Sequence, residues 1–278
     1  MKNVDIYAVI LAVLKTAALF ASFMAVQLVV SLIWALLAGI ENYPESVDVS
    51  GAPLQLLGGL AFIWFLRRFY KKRENLSLTE DSGFVRNRFT SVKLLPLYAL
   101  YGLTLNLLVV IFLNTLPSSW TAAYNENVLD SISKGNPIIV CLSIVVYSPV
   151  IEEFLFRGFA FKTLTACVNP WITAGILSVI FGLIHTQPVW VAYTMALGMV
   201  FSWLVMRTGS VIPSVITHIF FNAASLGLLL ISIYKPRWIA APPGWLIGPA
   251  LVVCAAAAAV LTVGIHRFTG RDTVADTA

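Results

Sequence analysis

A chain of 278 residues with 59% apolar and only 11% charged side chains, and a mean hydropathy of +0.87, lies far from soluble domains, which carry roughly 45–50% apolar and about 25% charged residues. Its recurrent unbroken apolar runs suit ~30 Å of hydrocarbon and lack the ~10-residue alternation of a β-barrel. They predict an all-α bundle of transmembrane helices forming one embedded domain over residues 1–278. The formal charge of +5 does not point to nucleic acid, because most basic residues flank apolar runs, where membrane topology accounts for them.

In chain order the expected segments are about 7–40, 52–66, 94–116, 137–163, 171–187, 189–206, 211–234 and 245–265. Polar or Pro- and Gly-bearing breaks separate them. The first would extend ~50 Å as a helix, too long for the core of a cleaved signal peptide. The fourth contains Pro149, which predicts a kink or a division into two pieces. There is no internal repeat, and the largest polar stretch, 67–93, is too short for a soluble domain. Cys141, Cys167 and Cys254 show no metal-type spacing and read as small packing residues.

Lys and Arg set the expected orientation. With the amino terminus in the cytoplasm and every segment crossing, thirteen of the 18 basic residues fall inside and three outside. The reverse arrangement opposes the positive-inside bias. Both termini are therefore expected in the cytoplasm.

Against this background the fourth segment carries Glu152, Glu153 and Arg157 within six positions. Each costs at least ~2.5–3.5 kcal/mol if left unpaired near the bilayer centre. Glu153 and Arg157 lie four apart on one helix face and can pair. Glu152, ~100° around the helix, points elsewhere and needs its own explanation. His185 and His218 also fall within spans, and Asn222 lies one turn beyond His218 on the same face. His266, beside Arg267, reads as interfacial. Taken singly, a His or an Asn in a bundle is most simply a helix-bridging hydrogen bonder. Taken together on three segments, these groups form a candidate site. A carboxylate with a His can hold and deprotonate water. A second His with an amide supplies donors to a developing oxyanion. No His-Glu-x-x-His zinc pair, Gly-x-Ser-x-Gly elbow or intramembrane Asp dyad competes with this set.

The ordered motifs Glu152-Glu153-x-x-x-Arg157, Phe181-x-x-x-His185 and His218-x-x-x-Asn222 resemble the CAAX proteases and bacteriocin-processing enzymes, a family that includes the type II CAAX prenyl endopeptidases. The resemblance covers about residues 137–225, the expected catalytic core, and the eight-span plan is similar too. It implies an intramembrane endopeptidase in which Glu152 and His185 activate water and His218 and Asn222 stabilise the oxyanion. Glu153 and Arg157 would support the site. Members of the family are often called metalloproteases, and Glu152, His185 and His218 would then be three ligands of a divalent metal such as zinc. Asn is a poor zinc ligand, and its pairing with a His suits an oxyanion site, so the ligand types favour hydrolysis without a cofactor. The implied partners are membrane lipids and a peptide or lipidated peptide, CAAX-like or bacteriocin-type. No organelle signal stands at the amino terminus, which points to a prokaryotic plasma membrane.

Two other classes compete. An ion- or proton-coupled transporter would also use intramembrane Glu, Arg and His, but paired broken helices and inverted repeats are not visible in the sequence. A non-catalytic immunity or scaffold protein would not require the complete motif set. Helix rise also raises a question of depth. His185 falls ~20 Å from the start of its segment, whereas Glu152 and His218 fall in the cytoplasmic half. For these residues to meet, the His185 segment must begin deep in the membrane or have other bounds.

Overall fold

A computed structural model describes residues 6–38, 58–62, 64, 92–117, 119–120, 126, 137–234 and 244–274. The described residues are all helix and turn. The principal helices are α1 (Ile6–Ala38), α2 (Leu95–Leu113), α3 (137–165), α4 (Pro170–Leu183), α5 (Pro188–Thr208), α6 (Ile212–Tyr234) and α7 (Gly244–Val274). Six of them are long and apolar enough to cross a membrane; α4 is apolar but shorter. The expected segment at 52–66 and the polar stretch 67–93 lie mostly outside the described residues.

Local chemistry sets the helix ends. Proline opens α4 and α5, where its missing N–H has no helical partner to lose. Asn169 caps α4, its side-chain oxygen accepting the Trp171 N–H at 2.9 Å. Gly209, at φ +67°, closes α5 in a left-handed conformation that suits glycine. The polarity of the molecule is that of a protein in lipid. Leu14, Leu28, Trp171, Ile172, Val252 and Val260 are exposed, while Glu153, Arg157, Thr173, Ser178, Ser202, Thr217 and His218 are buried.

α6 packs on α2, on the first half of α3 and on α5; α5 also packs on α4, and α1 lies against the end of α3. Close approach depends on small residues. A side chain at Gly102 of α2 would run into the Thr217 carbonyl of α6. A Cβ at Gly198 of α5 would lie 2.9 Å from Ser178 of α4. One core joins Phe156, Phe159, Leu177, Phe181 and Val215; a second joins Tyr98, Tyr101, Phe201, Leu204 and Phe221.

Two expectations are corrected here. Of the two outcomes expected at Pro149, division into two pieces does not occur: the helix continues through residues 143–147 and 154–160 in wide π-type turns that bracket the Glu152-Glu153 pair. His185 does not lie within a span. Helix α4 ends at Leu183, and His185 occupies the turn before Pro188. The reason is local, since a residue preceding proline is driven to extended backbone, and Gln187 has φ −74° and ψ 125°. With 14 residues, α4 rises ~21 Å, short of the ~30 Å of hydrocarbon.

Candidate active site

The middle of α3 supplies both carboxylates. Glu153 and Arg157 point into the bundle and pair at 3.0 Å, each side chain 0% exposed. Arg157 also donates to the Gly198 carbonyl of α5 at 3.1 Å. Its guanidinium carbon lies 4.4 Å from the Phe181 ring centroid and 5.5 Å from that of Phe201. With Phe156 at 5.6 Å as well, the cation has a carboxylate, a carbonyl and three aromatic rings in place of water.

His218 of α6 reaches this pair from the other side. Its Nδ1 lies 3.2 Å from the same Glu153 oxygen, and the Phe201 ring stacks on it at 4.8 Å between centroids. With Nδ1–H donated to Glu153, the ring is fixed and its Nε2 is turned outward. That nitrogen faces Glu152 Oε2 at 3.8 Å, and the Glu152 side chain is 22% exposed. The separation is too long for a direct hydrogen bond and short enough for one small polar group to sit between the two. The other Glu152 oxygen accepts a hydrogen bond from Ser148 Oγ, one turn earlier.

Asn222, one turn beyond His218, donates through Nδ2 to the Ile144 carbonyl in the first wide turn of α3, at 2.9 Å. His185 donates its Nδ1–H to the Phe181 carbonyl at 2.7 Å, which leaves Nε2 as the acceptor nitrogen. Its ring meets Phe181 edge-on at 5.1 Å, and Phe181 in turn meets His218 at 6.1 Å. Phe181 is thus the wall between the two imidazoles. The following residue, Thr186, has φ +60°, an unusual conformation for a β-branched side chain.

Glu152, Glu153, Arg157 and His218 are thus brought into direct relation, with Asn222 against α3 and His185 joined to the group through Phe181. Three contributors went unread in the sequence. Ser148 was legible in principle, because it stands four residues before Glu152 on the same face. Phe201 and the Gly198 carbonyl had no sequence signal, since they arrive from α5 through tertiary packing. Among the described residues, no three His, Cys, Asp or Glu side chains form a group that could hold a metal ion. Glu152 and His218 approach as a pair, and His185 does not join them as a third ligand of the kind zinc requires.

Residues 134–224 match a family model described as type II CAAX prenyl endopeptidase Rce1-like. Over this region the chain resembles the CAAX-protease family. A Bacillus subtilis protein named "Putative membrane peptidase YdiL" is 28% identical over 98 residues, which make up 35% of this chain and 40% of that protein. The match therefore spans two fifths of the length of the curated relative. No solved structure matches. The family match encloses Glu152, Glu153, Arg157, Phe181, His185, His218 and Asn222.

Proposed function

We propose that this chain is an intramembrane endopeptidase that hydrolyses a peptide bond with a Glu152-activated water, at a site needing no metal. The observation that carries the reading is the opposition of Glu152, partly accessible, and His218 Nε2 across 3.8 Å. A water bound beside this pair has a base on one side and a donor on the other, and a substrate carbonyl can approach it from the open side of Glu152. Glu152 takes the proton from water, and His185, whose Nε2 is the acceptor nitrogen, shares in holding that water. His218 acts here as the imidazolium, its Nδ1–H on Glu153 and its Nε2–H free to donate, with the Asn222 carboxamide, to the oxyanion. Collapse of the tetrahedral intermediate breaks the C–N bond, and the proton held by Glu152 goes to the leaving amine. Glu153 and Arg157 hold His218 in place from behind.

The fully sealed Glu153–Arg157 pair suits a support more than an ion pathway, which would need those groups to be reachable. The substrate is a peptide or lipidated peptide presented from the membrane. Both termini face the cytoplasm of a prokaryotic cell in this proposal, the orientation that the positive-inside bias of the basic residues favours.

The test is mass spectrometry of membrane and secreted peptides from cells carrying the native chain or Glu152→Gln. Peptides that appear only with the native chain identify the substrate, whereas identical profiles sink the proposal. Purified enzyme should keep its activity after exhaustive chelation. Activity that disappears and returns with zinc alone would replace the metal-free mechanism.

A further inference from the structure

In a regular α-helix the Ile144 carbonyl accepts the N–H of residue 148. In α3 the Ser148 N–H returns to Ser143 instead, one residue further back, as in a wide turn. The donor that this wider register would bring to Ile144 is residue 149, which is a proline and has no N–H. Neither backbone group that could reach this carbonyl along the helix is therefore available, and an acceptor inside a membrane bundle is costly to leave unpaired. The partner comes from another helix: Asn222 of α6 donates its Nδ2–H at 2.9 Å.

We propose that Pro149 is a positioning residue for Asn222, reserving the Ile144 carbonyl as the dock that orients the Asn222 carboxamide beside His218. The docking also fixes which end of the amide is which. A carbonyl accepts only from the NH₂ end, so the second Nδ2–H and Oδ1 are left in defined directions. Restoring an N–H at position 149 has two outcomes. The new group donates to Ile144, or the turn tightens to α register and the Ser148 N–H returns there. Both place a backbone competitor on the acceptor.

The kinetic consequence rests on the peptidase reading, but the dock itself does not. The first experiment is therefore a thermal-unfolding cycle on the full chain in detergent, with Pro149→Ala, Asn222→Ala and the double variant. Asn222→Ala alone should lower the apparent Tm by about 4 °C, since it leaves a partly buried carbonyl unpaired. In the Pro149→Ala background it should lower Tm by less than about half as much, and equal losses in the two backgrounds overturn the proposal. Lactic acid placed at position 149 by nonsense suppression also lacks an N–H, so it should preserve the native coupling. Behaviour like Pro149→Ala would show that the ring, not the missing donor, matters, and would overturn the proposal too. The second experiment uses a peptide cut by the native chain and not by Glu152→Gln. Pro149→Ala should lower kcat about tenfold with KM within about twofold, because the donor acts on the transition state. A change confined to KM would overturn this part. If no peptide is cut by the native chain, the peptidase reading fails while the stability cycle still decides the dock.

Discussion

Glu152 and Glu153 are neighbours in the chain and identical in chemistry, yet they face two different regions of the molecule. Glu153 lies in a sealed region, where Arg157, the Gly198 carbonyl and the rings of Phe181 and Phe201 stand in for solvent. Glu152 lies in a region that stays partly open, held by Ser148 and facing His218 across a gap. The one-residue offset, ~100° around α3, decides which carboxylate is consumed in structure and which stays available. His218 joins the two regions, because its nitrogens face both carboxylates. A sealed ion pair of this kind is weak evidence for net stability; its evident effect here is to fix the orientation of an imidazole.

The largest expected effect tests the open side. Glu152→Gln keeps the shape and removes the proposed base, so cleavage should fall by about 10²–10⁴-fold while the apparent Tm stays within a few degrees. Near-native cleavage would erase the distinction between the two carboxylates. The next effect tests the sealed side. Arg157→Met leaves the Glu153 carboxylate buried without its cation and should cost about 3–5 kcal/mol. It would be read as loss of monodisperse protein on size-exclusion chromatography and a large fall in Tm. Adding Glu153→Leu to Arg157→Met should recover much of the folded protein but not the activity, because His218 loses its anchor. If Arg157→Met alone were as stable as the native chain, the sealed region would not be sealed.

A smaller effect refines the open side. Ser148→Ala removes one hydrogen bond to a partly exposed carboxylate, worth about 1.5 kcal/mol at the low end for charged groups. Cleavage should fall about tenfold, and Ser148→Thr should restore most of it. A Ser148→Ala enzyme with native kinetics would mean that Glu152 needs no help to hold its orientation.

Much of this arrangement was legible in the sequence, and the failures have physical causes. Apolar runs gave the helices, because backbone groups in hydrocarbon leave few alternatives. The Glu153–Arg157 pair followed from i, i+4 spacing, and the divergence of Glu152 followed from the 3.6-residue period. The period could not show that an imidazole from α6 would approach both carboxylates. The apolar run 171–187 reads as one span, whereas helix α4 ends at Leu183 and leaves His185 in the turn beyond it. The run continues past the point where Pro188 forces the backbone to turn, and hydropathy does not register that constraint. The wide turns of α3 were likewise hidden. Pro149 signals a disturbed helix, but its spacing shows neither the wide register of the turn nor the partner, Asn222, that meets the freed carbonyl.

The smallest effect concerns the turn that carries His185. Thr186 sits at φ +60°, where the Cβ of an L-residue crowds the following carbonyl at a cost of roughly 1–2 kcal/mol. Asparagine tolerates this conformation better than a β-branched residue and avoids the backbone entropy that glycine would add. Thr186→Asn should therefore raise the apparent Tm by about 2–4 °C, equivalent to about 1 kcal/mol in a chain of this size. Thr186→Val should give no gain. Because the substitution suits the existing backbone, His185 should keep its bond to the Phe181 carbonyl, and cleavage should change by less than about threefold. A stabilised Thr186→Asn enzyme with sharply lower kcat would mean that the turn must leave its left-handed conformation during the reaction. His185 would then belong to a moving part of the site, unlike the fixed His218.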